Sequence, residues 1–208
     1  LVRRRFVAGA LIAGCVLAAG CWLVNAGLES RLALSVATYS RYVAPVIEES
    51  AKALIIFWLV RTNRIGFLVD AAIYGFAIGT GFAVVENLYY WHSLANPSLA
   101  LWIVRGFGTA VMHGGATAIF AIAGKTLSER RGMRFFTGWA IALLAAVAIH
   151  SAFNHFFLSP VFSTAFILVV LPPLIFVVFQ RSEKALETWL NVGFDADTEV
   201  LEMILSGT

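Results

Sequence analysis

Six apolar stretches, each near the ~20 residues that a helix needs to cross a bilayer, follow one another along the chain: residues 6–24, 43–60, 66–91, 98–124, 135–157 and 161–179. Lipid-exposed backbone must satisfy its hydrogen bonds within its own segment, so these stretches are expected to be helices. The period-two alternation of a transmembrane strand is missing. The pattern predicts an all-α, polytopic membrane helix bundle of about six transmembrane helices over residues 1–179. The longer connection, 28–42, mixes Leu28, Leu32, Leu34 and Val36 with Glu29, Arg31 and Arg41, and reads as an interfacial helix leading into the second stretch. After residue 179, Leu186, Trp189, Leu190, Val200, Leu201 and Ile204 recur among acidic residues, so 180–208 is expected to be a short cytoplasmic amphipathic tail.

The basic residues orient this bundle. Arg3, Arg4, Arg5, Arg61, Arg64, Lys125, Arg130, Arg131, Arg134, Arg181 and Lys184 fall on one side of the alternating spans, against Arg31 and Arg41 on the other. The positive-inside rule therefore places both termini in the cytoplasm. The three leading arginines, an apolar run and Cys15 also resemble a lipoprotein signal, but the run is short for one, and the first stretch is expected to stay as an uncleaved span. Cys15 and Cys21 are expected to act as small packing residues.

Composition narrows the class. Of 208 residues, 60 % are apolar and 13 % charged, where a soluble domain carries about a quarter charged. A large soluble core, a disordered chain and, with two cysteines, a disulfide-stapled module are excluded. The net charge of +3 is accounted for by the cytoplasmic flanks, so the expected partner is the lipid bilayer and no nucleic acid.

Against this background the ionisable residues inside the spans stand out, since charge in a membrane is costly and signals function. The second stretch carries Glu48-Glu49-Ser50-Ala51-Lys52. Two adjacent carboxylates cannot both ionise cheaply in low dielectric without a cation or metal nearby, and Lys52 lies over the same helical patch. In the third, Phe82, Glu86 and Tyr90 share a face, with Asn87 beside them; in the fourth, Arg105, Thr109 and His113 form one stripe; in the fifth, His150 and Asn154 are one turn apart. At 1.5 Å per residue the glutamates of the second stretch sit roughly 8 Å below the outer boundary. Glu86, Arg105 and His150 come out near the same outer level, while His113 counts deeper and is expected either to line the floor of a cavity or to belong to a span that begins later. Asp70, near the inner end, is expected to pair with Arg61 or Arg64.

Carboxylates, imidazoles and an amide around one cavity suit hydrolysis by activated water. The cofactor is expected to be none or a divalent metal such as zinc. No His-Glu-x-x-His helix is present, yet Glu and His are legitimate zinc ligands, with Glu49, Glu86, His113 and His150 as candidates.

Glu48-Glu49-x-x-Lys52, Phe82-x-x-x-Glu86-Asn87, His113 in a Gly-rich span and His150-x-x-x-Asn154, in four successive spans, resemble the PrsW family of bacterial intramembrane proteases. These are distant relatives of the type II CAAX prenyl endopeptidases. The likeness covers about 44–156 and implies a catalytic core at about 43–157 in a multi-pass protein of the bacterial cell (inner) membrane. It implies that the Glu-Glu motif activates water, that histidines position it and that the asparagine helps the oxyanion, which makes Glu48, Glu49, Glu86, His113, His150 and Asn154 the catalytic set. Lys52, Arg105 and Tyr90 are supporting candidates from the stripes above. The implied substrate is a single-span membrane protein, an anti-sigma factor cut near its extracytoplasmic side in envelope-stress signalling. The rival classes are a non-catalytic membrane scaffold, served by the Gly-rich spans, and a proton-coupled transporter, whose relay would have to continue across the membrane.

Overall fold

The computed structural model describes residues 2–93, 99–129 and 134–155 (backbone alone for 93 and 99–105), together with scattered positions between 162 and 206, of which 176–184 is the longest run. The second to fifth apolar stretches become helices within a few residues of their expected bounds. The elements are α1 (Arg4–Leu32), the short turn α2 (Val36–Thr38), a π-helical turn (Tyr39–Val43), α3 (Ala44–Arg61), α4 (Leu68–Ser93), α5 (Leu99–Ser128) and α6 (Phe135–Asn154). No strand occurs among the described residues. The sixth stretch and the tail lie largely outside them.

Among the described residues, four helices are long and apolar enough to cross a membrane: α1, α4, α5 from Gly106 onward, and α6. The 18 residues of α3 reach about 27 Å at 1.5 Å per residue, but Glu48, Glu49, Lys52 and Arg61 remove it from the apolar class. Its position shelters that charge. α3 packs on α1, α4, α5 and α6, and buries Glu48, Glu49, Lys52, Ile56 and Leu59 while Val46, Leu54 and Trp58 face outward.

Two expectations are corrected. Residues 28–32 are not part of a separate interfacial helix. No proline interrupts α1, which runs 29 residues and stops where Ala33 adopts a left-handed conformation at φ 49°. The remainder of the connection is α2 and the π turn, continuous with α3. Asp70 makes no ion pair among the described residues. It sits at the third position of α4, and its Oδ2 accepts the backbone N–H groups of Gly66 and Phe67 at 3.2 and 3.0 Å. That is the reach-back half of a capping box, which satisfies donors that the first helical turn leaves unpaired.

Glycines set the approach of the helices. A Cβ on Gly79 would collide with the carbonyl of His113, and one on Gly14 or Gly81 with the carbonyls of Ile78 or Leu11. α1 and α4 thus touch backbone to backbone at one crossing and diverge on either side of it. The wedge at the end where α3 begins is a cavity of about 520 Å³, and the wedge at the other end one of about 480 Å³ lined almost wholly by apolar side chains. Below the crossing the interior is apolar, built from Ile56, Leu59, Tyr74, Ile78, Phe120, Trp139 and Ala142. At that end the run 176–184 closes on α4, with Val69 N donating to Ser182 Oγ at 3.0 Å.

Candidate active site

The larger cavity leads to the site. Its walls are Ala18, Cys21, Trp22 and Asn25 of α1, Tyr39 and Ser40 of the π turn, Glu48 of α3, and Phe82, Val85, Glu86, Tyr89 and Tyr90 of α4. The rings of Trp22 and Tyr89, 6.0 Å apart, stand between α1 and α4 on its wall.

Beneath the cavity, side chains of four helices converge. Side chains on a helix lean toward its N-terminus. α4 and α6 end at the cavity level whereas α3 and α5 begin there, so Glu86 and His150 lean inward as Glu49 and His113 lean outward. This lean brings His113 into the set although it lies well along α5. His113 lies beneath the cavity rather than on its wall: it has no exposed surface, and the ring of Phe82, which does line the cavity, lies 5.1 Å from its own.

The contacts order the protons. Lys52 Nζ lies 2.7 Å from Glu49 Oε1 and 2.7 Å from His113 Nδ1. An ammonium only donates, so Nδ1 of His113 accepts and its Nε2–H donates to Glu86 Oε2 at 2.6 Å. His150 Nδ1 donates to Glu49 Oε1 at 2.8 Å. That leaves the lone pair on His150 Nε2, which lies 3.9 Å from Glu48 Oε2. Glu48 Oε2 is buried and has no hydrogen-bond partner, a costly state that calls for a counter-charge. Lys52 also sits 4.2 Å over the Phe82 ring, which adds a cation–π contact in a desolvated place. The two imidazoles meet edge to face at 4.6 Å.

Glu48, His113 and His150 offer ligand atoms that all lie within 4.8 Å of one another, and all three are buried. Glu49, placed among the metal candidates by its sequence, is occupied by Lys52 and His150 instead. Its neighbour Glu48 faces the histidines. The hydrogen bond from His150 Nδ1 to Glu49 fixes the tautomer of that imidazole.

The structure therefore joins Glu48, Glu49, Lys52, Glu86, His113 and His150 in one network. Asn154 stands outside it, its amide donating to the carbonyl of Ser40 at 2.8 Å, next to Ser151 Oγ on the carbonyl of Arg41 at 2.7 Å. Tyr90 lines the cavity. Arg105 lies on α5, but its side chain is outside the described residues. Sequence reasoning missed Asn25 and Tyr39. Asn25 Nδ2 donates to Glu48 Oε1 at 3.1 Å, and Tyr39 OH donates to Asn25 Oδ1 at 3.0 Å. The signal available was weak: an amide just past the first apolar stretch, in a helix expected to end there.

Membrane-length helices converging carboxylates and imidazoles on one buried point define a multi-pass membrane protein with a hydrolase-like centre. The chain belongs to the PrsW family: the family model described as PrsW family intramembrane metalloprotease matches residues 2–179. It is thus an intramembrane protease, a peptide hydrolase. No curated protein and no solved structure matches the chain.

Proposed function

We propose that this protease cuts a single-span membrane protein near the extracytoplasmic face, with anti-sigma factors as the substrate class, through water activated at Glu48, His113 and His150. The observation that carries this reading is the buried, unpartnered Glu48 Oε2 facing the free nitrogen of His150. The location follows from charge. Arg3, Arg4, Arg5, Arg61, Arg64 and Lys125 flank the end of the bundle opposite the cavity, so the positive-inside rule puts the cavity on the outer side.

The metal that the family implies fits these residues. One carboxylate and two imidazoles are an ordinary zinc donor set, and a cation would neutralise the orphaned oxygen. Glu48 Oε2 and His150 Nε2 are available as they stand. His113 would ligate through Nε2 only after giving up the proton there: the neutral ring would then carry its proton on Nδ1, and its contacts with Lys52 Nζ and Glu86 Oε2 would both have to rearrange. When bound, such an ion polarises the scissile carbonyl and makes water a stronger acid. The remaining roles belong to the chain itself. Glu49 keeps His150 in the tautomer whose lone pair is on Nε2. Lys52 neutralises Glu49. Glu86 lines the cavity with its side chain 23 % exposed, takes the proton of the attacking water as general base and returns it to the leaving amine.

The test is cleavage of a panel of single-span proteins by the detergent-purified chain, with product ends mapped by mass spectrometry. The expected cut lies in the outer third of the span; Glu86→Gln lowers the rate by about 10²–10⁴, the usual scale for losing an acid–base group, and Glu48→Gln or His150→Ala, each losing a ligand of the ion, abolishes cleavage. A cut in the cytoplasmic half, or an undiminished rate in Glu48→Gln, contradicts the proposal.

A further inference from the structure

We infer that Asn25 of α1 is a positioning residue for Glu48, set in place by Tyr39. This rests on Glu48 being a working carboxylate of the proposed site.

Glu48 has two oxygens in different surroundings. Oε1 accepts from Asn25 Nδ2 at 3.1 Å, and Oε2 has no partner and faces His150. A carboxylate on a helix turns about its last torsion with little resistance. The Asn25 hydrogen bond removes that freedom and leaves Oε2 as the reacting oxygen. Asn25 is itself constrained. Its amide must show nitrogen, not oxygen, to a carboxylate, and a flipped amide would set two acceptors against each other. The Tyr39 hydroxyl, donating to Oδ1 at 3.0 Å, selects the required face.

Tyr39 is held in turn. It is buried at the first position of the π turn Tyr39–Val43. Single π turns inside helices recur at functional sites. The turn is tied to α6 by Asn154 on the Ser40 carbonyl and Ser151 on the Arg41 carbonyl. A line of hydrogen bonds and backbone thus runs from α6 through the π turn to α1 and on to Glu48. α1 is then part of the site, where the sequence offers it only as an uncleaved span, and the family match begins before it, at residue 2.

The first variant is Asn25→Asp, which keeps the shape and the bond to Tyr39 and, when ionised, offers Glu48 no donor and sets a like charge against it; Tyr39→Phe, which adds no charge, separates the two effects. Zn(II) affinity of the detergent-purified full chain is measured by competition with a chromophoric chelator, and kcat and KM with one cleaved single-span substrate. Asn25→Asp is expected to weaken Zn(II) binding about 10–100-fold, the usual cost of losing a supporting contact to a ligand. It is expected to lower kcat while KM holds. Tyr39→Phe shifts both in the same direction by less, and it keeps the inference testable should Asn25→Asp fail to fold. Asn25→Gln, which retains a donor, restores part of the loss. Zn(II) affinity and kcat within twofold of the parent in both Asn25→Asp and Tyr39→Phe overturn the inference while leaving Glu48 in its role. A Glu48→Gln variant that binds Zn(II) and cleaves like the parent overturns the underlying reading instead.

Discussion

Lys52 has no exposed surface and is held between Glu49 and His113 at 2.7 Å each. Removing one member of a buried ion pair strands the other, at about 3–5 kcal/mol. Lys52→Met and Glu49→Gln are therefore both expected to lower the thermal midpoint sharply as well as cleavage. Glu48→Gln differs. Its Oε2 has no protein partner to lose, so cleavage falls while the stability of the chelator-treated, metal-free chain stays within about 1 kcal/mol of the parent treated alike. Melting curves of the three variants in one detergent check this, and equal destabilisation by Glu48→Gln and Glu49→Gln would refute the division of labour. The sequence shows two adjacent glutamates without saying which works. Neighbouring helical positions point about 100° apart, and only the packing of α5 and α6 around α3 decides which carboxylate meets Lys52 and which meets the open lone pair.

Helix contacts make their own predictions. Gly81→Val puts a Cβ against the Leu11 carbonyl, so the α1–α4 crossing must widen. Overpacking of this kind costs about 1–3 kcal/mol. Gly115→Ala meets nothing within 4 Å and is expected to be neutral or stabilising by up to about 1 kcal/mol, since alanine suits a helix better than glycine. Ala33→Gly relieves the left-handed residue at the end of α1 and is expected to gain about 0.5–1 kcal/mol. Thermal melting reads all three. At this scale the helix bounds of α3 to α6 were legible, because long apolar runs are bounded by charge. The path from α1 to α3 was not. Amphipathic spacing in 28–42 looks the same whether it covers a bilayer surface or the end of a long helix, and the αL break at Ala33 leaves no glycine to mark it. Asp70 was misread for a related reason: a carboxylate near arginines suggests a pair, but a helix N-terminus offers it two donors closer by.

Across the whole molecule, polarity is divided. The buried charged network lies at one end of the bundle, and the interior toward the other end is the apolar cluster around Ile56, Tyr74, Phe120 and Trp139. That division was readable from counting residues into each span, and it matches a site reached from one side rather than a relay crossing the membrane. His113 was the exception to the count, because the opposed lean of side chains on antiparallel helices spans the difference in level. The wedge between α1 and α4 was not readable, since it depends on where two glycines bring backbones together. The decisive measurement for the metal centre is metal content and cleavage of one single-span substrate in the same detergent-purified preparation, before chelation, after it, and after Zn(II) is restored, beside Glu48→Gln. The expected result is about one ion per chain, cleavage lost on chelation and regained with Zn(II), and neither tight binding nor cleavage in Glu48→Gln. Full cleavage after the ion is removed, or an ion retained equally by Glu48→Gln, would contradict it.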